Sequence, residues 1–179
     1  MTKEELDNFE NVVEQGFVKI CSSTGLLDGM LSSPDVDGKW EDFIKDYTAD
    51  AVSNFNEYPE AALGFAGFLG AAVAHRWDKA WDVLKDEPYS SYLGSRGWDN
   101  MDDHITGEML HLTEKDAARF SETMISCATL ALAFIRRSGI EPQTADGFYA
   151  LVRTCGAMYR VGAAVELKRL GYKKVALKL

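Results

Sequence analysis

Residues 59–86 read PEAALGFAGFLGAAVAHRWDKAWDVLKD, and this stretch decides the fold. Pro59 suits the first turn of a helix, where its missing N–H is not needed. No breaker follows until Pro88, so the helix spans about 40 Å at the usual rise per residue. Its first half is small or apolar on every side, and its second half narrows to a stripe of Val73, Trp77, Ala80 and Leu84. A helix apolar all round has to lie at the centre of a bundle.

The flanking segments keep the same period. Leu6, Phe9, Val13, Gly16 and Ile20 step by three and four, with Thr2 and Glu5 forming a capping-box pattern ahead of them. Trp40, Ile44, Tyr47, Ala51 and Phe55 mark a second helix. Thr113 with Asp116 opens another, whose seam is Ala117, Phe120, Met124, Cys127, Ala131 and Phe134. Arg136, Arg137 and Gly139 suit its C-terminal end. Thr144 caps a last long helix reaching Gly171, with Phe148, Leu151, Cys155, Met158, Gly162 and Val165 as the expected buried face. Strand patterns are almost absent. The expectation is an all-α, single-domain bundle of five to six helices over residues 1–179. Loops are expected near 22–38 and 88–100, with a short basic tail over 172–179.

Two central helices share a word. Gly70-Ala71-Ala72-Val73 recurs as Gly162-Ala163-Ala164-Val165. Glycine inside a helix costs about 1 kcal/mol relative to alanine, so its repeated use predicts two Gly/Ala-rich helices whose backbones cross closely.

Length and composition bound the function. A chain of 179 residues, 46% hydrophobic and 26% charged, is one domain and needs no cofactor merely to fold. Its net charge of −9 argues against nucleic acid and anionic membrane as partners and permits a basic protein or a second copy. The apolar stretches Ala61–Ala74 and Thr123–Ile135 fall short of the roughly 20 residues a bilayer requires. The start, Met1-Thr2-Lys3-Glu4-Glu5, has neither the basic nor the apolar part of a signal peptide. Cys21, Cys127 and Cys155 are odd in number and unpaired in spacing, which suits buried thiols in a reducing compartment. A cytoplasmic location is expected. Charge is uneven: residues 1–60 hold 14 acids against 4 bases, while residues 150–179 hold 7 bases and 1 acid. Such asymmetry marks either an interaction surface or solvated faces and helix ends.

The segment from Tyr89 to His111 has no clear period and concentrates chemistry. Tyr92 and Trp98 offer walls, and Arg96, Asp99, Asp103 and His104 offer charge of both signs, the makings of a ligand pocket. The segment is expected to close one end of the bundle near Trp77 and Trp81, as a lid over a site or as a structural plug. If it is helical, His104, Glu108 and His111 share a face through i, i+4 and i+7 spacing, and a divalent metal is the cofactor such a face would take. His75, Asp78 and Asp82 on the third helix are the nearest further ligands. Glu108-x-x-His111 is half of a di-iron bundle motif, but no second copy exists in the sequence. No catalytic residue is assigned: there is no nucleophile elbow, no phosphate-cradling loop, and no basic group beside a cysteine.

A non-enzymatic interaction or small-ligand-binding domain is therefore the leading expectation. A metal-dependent enzyme built on the His/Glu/His face is one alternative, and an acidic, immunity-type inhibitor of a basic partner is another.

Overall fold

The computed structural model describes residues 1–173. Its helices are α1 (Lys3–Ser23), α2 (Pro34–Asn54), α3 (Pro59–Leu84), the short α4 (Met101–Asp103), α5 (Glu114–Arg137) and α6 (Ala145–Arg169). A π-helical turn, His104–Met109, continues α4, and no strand occurs among the described residues. The chain is an all-α bundle. From residue 174 onward, the expected basic tail lies outside the described residues.

Local chemistry starts the helices where the sequence says. The Thr2 hydroxyl accepts from the Glu5 N–H at 3.1 Å, and the Glu5 carboxylate accepts from the Thr2 N–H at 2.8 Å. Thr113 and Thr144 cap α5 and α6 by accepting from Asp116 and Gly147. Two boundaries differ from expectation. Helix α2 begins at Pro34 rather than near Trp40, because Pro34 occupies the first turn and Asp35 and Asp37 complement the helix dipole there. The loop expected over 22–38 therefore stops at Ser33. Helix α3 is also not one straight rod, since Ala80 leaves helical geometry at φ −163° and ψ 66°.

Helices α1, α3 and α6 run the same way, and α2 and α5 run against them. Helices α3 and α6 touch backbone to backbone at the repeated glycines. A β-carbon on Gly162 would fall on the Gly67 carbonyl, with its carbon 2.5 Å away; one on Gly70 would fall on the Tyr159 carbonyl and sit 3.1 Å from the Ala163 amide nitrogen. The duplicated word is thus a close-crossing device. Around it, Tyr47 donates to the Ala62 carbonyl at 2.8 Å, and Tyr159 donates to the Val36 carbonyl at 2.6 Å. These bonds satisfy hydroxyls that burial would otherwise leave unpaired. On α6 the expected inward residues are buried except Phe148, which is 45% exposed. It lies in the first turn, beyond the reach of α3.

The uneven charge is resolved inside the fold. Arg153 pairs with Asp7 at 2.7 Å, and Arg160 pairs with Glu14 at 2.7 Å. Helix α1 has no base in its last turn, and the bases come from elsewhere. Arg119 donates to the Thr24 carbonyl, and Lys168 reaches the Gly25 carbonyl at 3.2 Å. Arg153, Arg160 and Lys168 of the basic end thus find partners in the acidic start.

Candidate functional site

The Tyr89–His111 segment places its aromatics inward and its charges outward. Tyr89–Tyr92 is a 3-10 turn. Tyr92 is fully buried with its ring 5.3 Å from Phe43, and Trp98 lies 4.7 Å from Phe65. The Tyr89 hydroxyl donates to Asp50 at 2.9 Å. Burial raises the pKa of both tyrosines, with the Asp50 carboxylate adding to the effect at Tyr89 and the Glu87 carboxylate adding to it at Tyr92. Among the described residues Arg96 bonds only Asn100, at 3.2 Å, and Asp99 and Asp103 face solvent.

None of Tyr92, Arg96, Trp98, Asp99, Asp103 and His104 lines any of the five principal depressions. The aromatic contacts of the segment fall on Phe43 of α2 and Phe65 of α3. Trp77 instead donates to Asp35 at 3.1 Å and packs on Tyr172 at 5.3 Å. The aromatics pull the segment onto the core, so the polar side chains between them diverge.

The proposed metal face is also dispersed. His104 Nδ1 meets Glu108 Oε2 at 2.7 Å, and its Nε2 lies 3.4 Å from the Ser91 carbonyl. The imidazole thus ties the π turn to the 3-10 turn. His111 lies beyond the turn at φ 52°. The i→i+5 bonding widens the winding, so an i+7 residue does not return to the same face. His75 belongs to a different pair, and Asp78 accepts from Tyr172 at 2.7 Å. Among the described residues, no three His, Cys, Asp or Glu side chains converge as metal ligands.

A feature the sequence analysis missed is a buried carboxylate. Glu166 is 1% exposed. Arg169 donates to both of its oxygens, at 2.5 and 2.8 Å, and His75 Nδ1 lies 3.0 Å away. The available signal was the single acid in residues 150–179, placed directly after Gly-Ala-Ala-Val on a face that should be apolar. A depression of about 220 Å³ beside it also carries Arg119, Lys168 and Asp116. Its basic side chains already hold Glu166 and the end of α1, so this cluster reads as a bundle clasp.

One groove differs in kind. Between the start of α3 and the middle of α5 lies a depression of about 490 Å³, floored by Ala61, Gly64, Phe65, Phe68, Met124 and Ile125. Every charged residue lining it is acidic: Glu57, Glu60 and Asp102. Partial burial raises the Asp102 carboxyl above its ordinary range, a penalty that a bound cation would relieve. The groove opens onto an unusual surface. Helix α5 is long and apolar enough by composition to cross a bilayer, yet only 39% of that window is buried in the bundle. Between Glu122 and Arg136 its outward residues are Ile125, Ser126 and Thr129, with Leu130 and Ala133 half-covered. Other depressions are less informative. The one beside Met1 has its amine already paired with Asp146 at 2.8 Å. No protein-family model matches the chain, and no curated protein or solved structure is similar to it.

Proposed function

We propose that the protein is a non-enzymatic interaction domain that uses the α3–α5 groove to hold a basic amphipathic segment of a protein partner. The observation that carries this is the groove's chemistry: an apolar floor of more than one large side chain, and a rim whose charges are all of one sign. Apolar anchors give such an interface its affinity, and matching rim charges give it specificity and speed of encounter. The uncharged outward face of α5 extends the surface, so the partner would lie along that helix. This reading joins two expectations, an interaction domain and an acidic protein that covers a basic partner.

Fluorescence polarisation with a labelled Lys/Leu amphipathic peptide tests it. Glu57→Lys with Glu60→Lys should weaken binding at least tenfold. A charge-matched reversal on α2, Glu41→Lys with Asp46→Lys, should change it little. Ile125→Asp should abolish binding without unfolding the protein, since Ile125 is 54% exposed. Equal loss from both double reversals would reduce the effect to net charge and end the proposal.

A second reading rests on a separate pocket of about 320 Å³ lined by Val52, Phe55, Ile135, Phe148 and Leu151 and by no charged residue. Its size and lining suit a small apolar ligand. Saturable quenching of an apolar dye that Leu151→Asn removes would favour it.

A further inference from the structure

We propose that Cys21 and Cys127 are a peroxide-sensitive dithiol that closes to an intramolecular disulfide. Both thiols are buried with no exposed surface, and the packing of α1 against α5 brings them together. The two helices run antiparallel. Phe9 lies against Phe134 with ring centroids 5.3 Å apart, Gly16 lies under Leu130, and Arg119 reaches the Thr24 carbonyl. Cys21 and Cys127 fall between the last two contacts, on the facing sides. The neighbouring Cys127 thiol lowers the pKa of Cys21, while the Cys21 sulfur and burial raise that of Cys127. The two sulfurs therefore start with unequal roles, Cys21 as the attacking thiolate and Cys127 as the resolving thiol. Cys155 stands apart against the Ala62 carbonyl at 3.7 Å, with its thiol pushed up to about 12 by burial.

The step balances with hydrogen peroxide as the oxidant. The Cys21 thiolate attacks one peroxide oxygen and the O–O bond breaks. This leaves Cys21 sulfenic acid and a hydroxide, which takes up a proton to become water. Cys127, giving up its proton, then attacks the Cys21 sulfur, and the S–O bond breaks with release of a second water. The two sulfurs together lose two electrons, and peroxide gains them. Access comes from the end of α1, because Cys21 lies in its last turn and the chain just beyond that turn is tied down by Arg119 at the Thr24 carbonyl and by Lys168 at the Gly25 carbonyl. Opening of such an end needs far less than global unfolding.

The test is peroxide treatment of the native wild-type protein, alkylation in denaturant, intact mass and peptide mapping. The expected result is a loss of two hydrogens, a linked Cys21–Cys127 peptide, a free Cys155 and reversal by dithiothreitol. Arg119→Ala, which unlatches the end of α1, should speed closure several-fold. In Cys127→Ser, dimedone should trap a sulfenic acid on Cys21; if that variant misfolds, the wild-type peptide map alone still decides between closure and no closure. Oxygen addition without a cross-link, a cross-link to Cys155, or closure only in denaturant would each overturn the proposal.

Discussion

A single methyl group, added at two glycines, should move stability in opposite directions. Gly38 lies in α2 with nothing within 4 Å of the β-carbon that alanine would add. Alanine there recovers only helix propensity, a gain of about 0.5–1 kcal/mol. Gly162 lies in α6, and its added carbon would fall on the Gly67 carbonyl, with the Gly67 α-carbon at 2.6 Å. The obstacle is backbone held in the hydrogen-bond ladder of α3, so it cannot swing aside as a side chain would. Helices α3 and α6 must separate, and the tight packing around Tyr159 and Met158 loosens with them. Overpacking of this kind costs roughly 1–3 kcal/mol, and the upper part of that range applies where backbone meets backbone. Set against the propensity gain, the net loss is about 1–2 kcal/mol, or roughly 2–8 °C in Tm for a chain of this size. Urea midpoints of Gly38→Ala, Gly162→Ala and wild type measure both. Stabilisation, or no change, in Gly162→Ala would refute the close crossing, and Gly70→Leu should then also be tolerated.

Trp98→Ala should cost about 3–5 kcal/mol as a core truncation, while Arg96→Ala and His104→Ala leave the midpoint nearly unchanged. Trp98→Phe should cost much less than Trp98→Ala, because the buried indole N–H has no partner to lose. Arg169→Ala should destabilise more than Glu166→Gln in chemical denaturation: the first leaves a carboxylate that is 1% exposed with His75 as its remaining partner, a cost below the roughly 3–5 kcal/mol of breaking a fully buried pair because Arg169 is itself part-exposed. The second strands a guanidinium that still reaches water. Asp102→Asn should raise Tm at neutral pH. A carboxyl whose folded pKa is raised destabilises fully above that pKa, and the penalty fades as pH falls toward the unfolded value near 3.9. The gain over wild type should therefore vanish in acid, and a constant difference across pH would contradict the burial argument.

The bundle was legible because its signals are local or periodic. Thr2, Thr113 and Thr144 cap the helices that follow them, and the glycines of α3 and α6 announce a crossing that sterics require. Where the sequence misled, tertiary geometry was the missing term. A run of aromatics and charges from Tyr92 to His104 resembles a pocket, but burial of Tyr92 against Phe43 and Trp98 against Phe65 turns the charges outward. The i, i+4, i+7 set of His104, Glu108 and His111 presupposes α-helical winding, and a π turn is not visible in spacing. The α3–α5 groove was out of reach for a different reason: Glu57 and Glu60 flank the start of α3 while Asp102 comes from α4, and only the packing of the fold brings their carboxylates to one rim.

Charge shows most plainly what the sequence tells and what the fold adds. A strongly acidic first third and a basic last segment look like two surfaces waiting for partners. In the fold Arg153 and Arg160 answer Asp7 and Glu14, and Lys168 answers the carbonyl end of α1. Pairs of this exposure add little stability individually, but they take Arg153, Arg160 and Lys168 out of consideration as free cations. The carboxylates of interest under the proposed function are those in no ion pair over an apolar floor. That condition is met at the α3–α5 groove, where half-burial already raises the cost of the Asp102 charge and an incoming cation would lower it. Under the proposed function, the imbalance in composition bears on a basic partner only after the internal pairs are set aside, and the partner would then lie along α5 rather than on the acidic helices that first suggest it.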